Sequence, residues 1–134
     1  MTTIVIDATN ATLGRMASYI AKQALRGNDI IIVNCNKAII LGKPSSIVAE
    51  FLQKKQRGLH SQKGPKISRV PEKIVKRAVR GMLPYKKGKG AEAFDRIKCY
   101  NTVPAEYANA KKILAGKEKN RSFVTLERLN DLFE

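Results

Sequence analysis

The tightest constraint on the fold lies at the start of the chain. Ile4-Val5-Ile6 is a short β-branched run of the kind that packs as a buried strand, and Ile30-Ile31-Ile32-Val33 is a second. Between them Leu13, Met16, Ala17, Ile20, Ala21, Ala24 and Leu25 recur at the i, i+3, i+4, i+7 spacing of an amphipathic helix, and Gly27 supplies its C-terminal stop. Strand, helix and strand in that order predict a right-handed crossover, because parallel strands need a connection longer than a hairpin. The second run is continuous, not alternating, which suits a sheet covered on both faces. The expected fold class is α/β: a single three-layer α/β/α domain over 1–134, with a small, mainly parallel sheet and extended basic loops.

The rest of the chain is read the same way. Ala38–Leu41 is a third apolar run, broken by Gly42-Lys43-Pro44-Ser45. Pro44 fits the first turn of a helix whose apolar residues are Ile47, Val48, Phe51 and Leu52, with Asn10 or Thr12 placed to cap the earlier one. Residues 58–70 form a basic loop without periodicity. Pro71 opens the cleanest helix, with Ile74, Val75, Ala78, Val79 and Met82 on one side and Lys73, Lys76, Arg77 and Arg80 opposite. Leu83-Pro84 ends it. A Lys/Gly loop at Tyr85–Gly90, a helical turn at Ala91–Asp95, a strand at Ile97–Tyr100 and a helix at Ala105–Leu114 follow. Leu126, Leu129, Leu132 and Phe133 predict a closing helix within a tail at 110–134. With 43% apolar residues in 134, such a chain buries roughly two-thirds of its extended surface and needs no staples.

Charge then points to a partner. Lys and Arg number 26 against 11 acids, a net charge of +15. The stretch from Lys54 to Lys89 holds 13 of those bases and one acid, Glu72, and so carries +12 of the total. A nearly neutral body therefore bears one basic segment, 54–90, which reads as a binding footprint for a polyanion. A membrane surface is disfavoured by the short apolar runs and the absence of Trp. Nucleic acid remains. The candidate contacts are Lys54, Lys55, Arg57, His60, Lys63, Lys66, Arg69, Lys73, Lys76, Arg77, Arg80, Lys86, Lys87 and Lys89. Only Tyr85 adds an aromatic ring to this stretch, so recognition of folded RNA through backbone and shape fits better than base stacking. A solvated cationic face and a calmodulin-type or membrane-surface helix are the competing readings of 71–82.

Enzymatic readings find little footing. The turn Asp7–Thr12 contains no glycine for close approach to a pyrophosphate. Gly42-Lys43 is followed by Pro44 where a phosphate loop needs Ser or Thr. His60, the lone histidine, has no nucleophile or carboxylate set beside it, and Cys35 and Cys99 lack zinc-ligand spacing. No cofactor, metal or small-molecule substrate is expected. The opening residues carry no charged-then-apolar leader, so two reduced, packed thiols in a cytoplasmic protein are the favoured reading of the cysteines, with a disulfide left open.

Arg77-Ala78-Val79-Arg80-Gly81-Met82-Leu83-Pro84 completes a recognisable pattern. It stands with Leu13-Gly14-Arg15-Met16-Ala17, Ile32-Val33-Asn34-Cys35-Asn36-Lys37-Ala38, Gly42-Lys43, Lys86-Lys87-Gly88-Lys89-Gly90-Ala91, Arg96-Ile97-Lys98-Cys99-Tyr100 and Pro104. Over about residues 4–107 the chain resembles the universal large-subunit ribosomal protein family number thirteen, in its archaeal form. The resemblance implies a compact three-layer α/β domain, a structural and assembly role in the large ribosomal subunit, and no enzymatic activity. It also implies large-subunit rRNA and neighbouring ribosomal proteins as partners, in the cytoplasm. A free RNA- or DNA-binding regulator and a nucleotide-using enzyme are the alternatives.

Overall fold

A computed structural model describes residues 2–57, 68–110, 112–114 and 121–132. In chain order the elements are β1 (Thr3–Asp7), α1 (Leu13–Leu25), β2 (Asp29–Val33), β3 (Ile39–Leu41), α2 (Pro44–Gln56), α3 (Pro71–Arg80), α4 (Gly88–Asp95), β4 (Ile97–Cys99), β5 (Lys112–Leu114), β6 (Phe123–Thr125) and α5 (Leu126–Leu132). Short 3-10 turns lie at Cys35–Lys37 and Ala105–Tyr107.

The opening unit folds as its pattern predicts. β1 and β2 pair in parallel from Thr3↔Asp29 to Asp7↔Val33, with α1 as the crossover. β4 joins β2 and β5 joins β1, both in parallel, for the strand order β4-β2-β1-β5. β3 does not enter this sheet. It pairs antiparallel with β6, from Ile39↔Thr125 to Leu41↔Phe123. Gly27, with φ of 95°, ends α1, and Asn10 and Asn34 take φ of 59°, a left-handed conformation that Asn tolerates better than other side chains. Thr12 sits at the N-cap of α1, but its hydroxyl makes no capping bond.

The pleat sends alternate side chains of β2 to two cores. Ile30 and Ile32, with Ile6 and Ile97, pack under Met16, Ala17, Ile20, Ala21 and Ala24 of α1 and Ile74, Val75 and Val79 of α3. Val5, Ile31 and Val33 face the other way and are covered by Tyr100, Val103, Tyr107 and Ala110. The cover on that side is the 100–110 segment with its 3-10 turn, braced by the tilted Tyr100–Tyr107 ring pair at 6.1 Å. Leu126 and Leu129 of α5 reach the first core and are fully buried.

Several expectations are corrected. Ala105–Leu114 is not a helix: a 3-10 turn occupies 105–107, and β5 takes Lys112–Leu114 because the open edge of β1 offers hydrogen-bond partners there. Helix α4 starts at Gly88, so Lys89 lies on a helix and not in a loop. Met82 lies beyond the last turn of α3 and is 45% exposed, and Leu52 is also on the surface. The strand at β6 had no signal strong enough to be read in advance. Most of the 58–70 loop, and Phe133, lie outside the described residues.

One glycine controls how the basic turn sits. A Cβ added at Gly90 would collide with the Pro84 carbonyl and meet Pro84 Cγ at 2.7 Å, so the 81–87 turn can rest on α4 only while position 90 has no side chain. Gly14, by contrast, has nothing within 4 Å. Gly90→Ala is expected to lower stability by about 1–3 kcal/mol through overpacking. Gly14→Ala should be neutral or raise it by up to about 1 kcal/mol, since a helical Gly costs backbone entropy. Urea denaturation of the two variants side by side checks both directions.

Candidate nucleic-acid interface

Helix α3 carries the cations on a fixed mount. Pro71 occupies its first turn, and the Glu72 N–H donates to Asn101 Oδ1 at 2.9 Å, satisfying one of the free amides at that end. Pro71, Ile74, Val75 and Val79 are buried. Lys73 and Arg77 are exposed, and Lys76 and Arg80 are half-buried. The stripe opposite the core is therefore the one predicted, with two of its four cations partly drawn in.

Aromatic rings explain that drawing-in. Lys76 Nζ lies 5.0 Å from the centre of the Phe94 ring, and the Arg80 guanidinium lies 5.0 Å from that of Tyr85. Lys86 Nζ approaches the same Tyr85 ring at 6.0 Å. Contacts of this kind at partly exposed sites contribute about 0.5–1 kcal/mol and, more usefully, limit the rotamers of long side chains. The buried Leu83 anchors the turn that presents Tyr85, Lys86 and Lys87.

Grooves run along both flanks of the helix. One of about 240 Å³ is lined by Ser68, Lys73, Lys76, Arg77, Arg80 and Phe94. Another of about 250 Å³ brings Lys54 and Phe51, at the end of α2, beside Arg77 and Ser68. Lys54 is already engaged, with Glu50 Oε1 at 3.2 Å and the Phe51 ring at 5.6 Å, so it is a weaker candidate than its sequence position suggested. Arg57, Arg69, Lys87 and Lys89 are exposed, as is Lys55. His60, Lys63 and Lys66 lie outside the described residues.

A third groove, of about 300 Å³, adds a residue that the charge count overlooked. Lys98 lines it with Glu72, Lys73, Lys76, Cys99 and Tyr100. Lys98 sits on β4 between buried Ile97 and half-buried Cys99, and strand alternation turns it outward. That alternation was the available signal, although its distance in sequence from 54–90 hid the connection.

Two of the sites weighed for other chemistry, the Asp7 turn and the cysteine pair, make structural contacts. Asp7 Oδ1 accepts from the Thr9 N–H at 3.0 Å, the Thr9 hydroxyl at 2.7 Å and Asn34 Nδ2 at 3.1 Å. Partial burial alone would raise the Asp7 pKa, but these bonds, with the charge of Lys37, outweigh it and hold the carboxyl below the usual carboxylate range. The Asp7 carboxylate is thus engaged by Thr9 and Asn34. Cys35 and Cys99 are both free thiols. The hydrogen bond with Cys99 and burial push the Cys35 thiol well above its ordinary value, so it stays protonated and packed. Among the described residues, no group of three His, Cys, Asp or Glu side chains is placed to hold a metal ion, and no helix is long and apolar enough to cross a membrane.

The four α3 cations contribute little to stability, which makes them separable from the fold. Their four pairs at i+3 and i+4 repel by about 0.2–0.5 kcal/mol each. The two ring contacts return about 0.5–1 kcal/mol each. Changing Lys73, Lys76, Arg77 and Arg80 together to Gln should leave unfolding free energy within about 1 kcal/mol of the parent, given that these terms nearly cancel. A drop of several kcal/mol in a denaturation curve would mean that the cations support the core.

The model of the family described as Ribosomal protein L13 matches residues 1–106. The large ribosomal subunit protein uL13 of Methanopyrus kandleri is 52% identical over 100 residues, which cover 75% of this chain and 62% of that relative. The protein of the same name from Methanococcus maripaludis is 47% identical over 104 residues, covering 75% and 76% of the two chains. That from Methanocaldococcus jannaschii is 40% identical over 129 residues, covering 94% and 93%. The match thus spans less than two-thirds of the Methanopyrus relative but nearly all of the Methanocaldococcus one. With α1, strands β1 to β4, α3 and the basic turn all inside the matched stretch, the chain belongs to the ribosomal protein L13 family.

Proposed function

We propose that this chain is a non-catalytic, structural constituent of the large ribosomal subunit, a single cytoplasmic domain that binds and braces folded large-subunit rRNA and aids assembly. The observation that carries the reading is the family match over residues 1–106, which includes the cationic mount. The physical case agrees. Four cations stand on a rigid helix whose other face is core, and grooves on both flanks are open to a phosphate backbone. Half or more of protein contacts to a nucleic-acid duplex go to phosphate and sugar, and such contacts position the partner without reading its bases.

In this reading Lys73, Lys76, Arg77 and Arg80 hold the backbone from the helix, with Lys98 beside them. Arg69, Lys86, Lys87 and Lys89 approach from the flanking segments, and Lys54, Lys55 and Arg57 from the end of α2. His60, Lys63 and Lys66 belong to the same segment by sequence. Neighbouring ribosomal proteins are the further partners, and no small molecule or membrane enters. Ordering the flexible side chains costs entropy, which release of counterions from the RNA offsets.

Two measurements test it. Sedimentation of a cell lysate, followed by a high-salt wash, should find the chain at about one copy per large subunit, and the four-residue Gln variant should be depleted there. With 6–10 phosphate contacts, affinity for large-subunit rRNA should fall roughly 10³–10⁵-fold between 50 and 200 mM salt. A chain found mainly in light fractions would instead favour a free nucleic-acid-binding regulator.

A further inference from the structure

The exposed side of α1 is charged in a way the basic segment does not account for. Arg15, Tyr19, Lys22 and Arg26 lie on the surface three or four residues apart, with exposed Ser18 beside Tyr19, and so form one stripe about 16 Å long at a rise of 1.5 Å per residue. Their opposite face, Met16, Ala17, Ile20, Ala21 and Ala24, is buried. Among the five described helices, α1 alone has no acidic residue. Two half-buried cations elsewhere do find acids one helical turn earlier, Lys54 with Glu50 and Arg96 with Glu92. Arg15, Lys22 and Arg26 have no ion-pair partner among the described residues.

A solvated helix face is the plain alternative, and it explains only half the stripe. Lys22 and Arg26 lie at the C-terminal end, where the helix dipole favours a cation. Arg15 lies in the first turn, where the dipole disfavours one and an acid is the favourable choice. Tyr19, next to it on the stripe, leaves 40% of a large aromatic residue in solvent. Arg15 thus opposes the local helix field, and Tyr19 keeps part of its ring in solvent beside it. Both suit a phosphate backbone, to which a guanidinium donates in a fork and a phenol donates a single bond. The face is also held still, since the Arg96 Nη1 donates to the Ala24 carbonyl at 3.1 Å and fixes the far end.

We propose that this α1 stripe is a second rRNA-backbone contact, carried by Arg15, Tyr19, Lys22 and Arg26 and separate in sequence from residues 54–90. The proposal rests on the ribosomal reading above and deepens it. A chain with two backbone-binding faces on neighbouring helices ties RNA segments together, which a single basic patch does not do.

The test uses the full chain with Arg15→Gln, Lys22→Gln and Arg26→Gln combined, bound to deproteinised large-subunit rRNA over a salt series with backbone footprinting. Urea denaturation confirms that the variant is folded. The plot of log affinity against log salt should become shallower by about two to three, near 0.9 for each lost phosphate contact. A set of protected nucleotides should vanish that the four-residue α3 variant still protects. If the α1 variant keeps the parental slope and footprint while the α3 variant loses its own, the stripe is not an RNA contact and the ribosomal reading stands. If the parent chain itself shows neither salt-dependent binding nor protection, both readings fall together.

Discussion

Burial of one stripe of α3 is the contact on which the rest of the arrangement depends. Ile74, Val75 and Val79 enter the main core against α1 and the isoleucines of the sheet. Burying three such side chains contributes roughly 1.5–3 kcal/mol each. Repulsion among Lys73, Lys76, Arg77 and Arg80 opposes this by about 0.2–0.5 kcal/mol per close pair. Packing therefore wins by a wide margin, and it can hold four like charges in a row on a helix of 10 residues. Such a helix would not persist alone in water, because short isolated helices are marginal even with favourable charges. Its order comes from tertiary contact, and its charge is free to serve a partner.

The same economy shapes the sheet. β1 and β2 bury both faces, so their side chains are apolar without alternation. The two faces are unequal, however. Helices α1 and α3 cover Ile30 and Ile32, while a segment with only one 3-10 turn covers Ile31 and Val33. The chain crosses that second face after β4, and in doing so delivers Asn101 to the start of α3 and Tyr100 to the rim of a cationic groove. The cover of the minor core and the N-terminal anchor of the cationic helix are thus one piece of backbone.

The parts legible in the sequence were those governed by local pattern. The β1–α1–β2 unit follows from two β-branched runs around a 3.6-residue period, and α3 from its proline start and its split of apolar and basic residues. Short strands were harder. β5 and β6 have 3 residues each, too few for a period, and both exist because another strand offers an edge. Ala105–Leu114 shows the cost of that blindness: alanines that favour a helix were overridden by parallel pairing to β1. Counting charge along the chain picks out the cationic stripe of α3 and the 81–87 turn but not Lys98, which strand pairing of β4 with β2 and packing of α3 on β4 bring beside Lys73 and Lys76. Nor does a charge count show that Lys54 pairs with Glu50, one helical turn earlier.

Why these cations sit on a folded body, and not on a tail, follows from entropy and geometry together. A disordered basic tail binds RNA by charge alone and must order its backbone on contact, at about 1–2 kcal/mol per residue. Here the backbone is already fixed, and rings restrain two of the side chains: Phe94 under Lys76 and Tyr85 under Arg80. Tyr85 in turn is placed by the turn at 81–87, which can seat on α4 only because position 90 is glycine. A rigid spacing of charges discriminates between backbones of different shape even when every phosphate is chemically the same. Among the described residues only the rings of Tyr19 and Tyr85 are exposed for bases to stack on, so in the proposed reading shape carries the specificity, and shape is what a packed mount can present and a loose tail cannot.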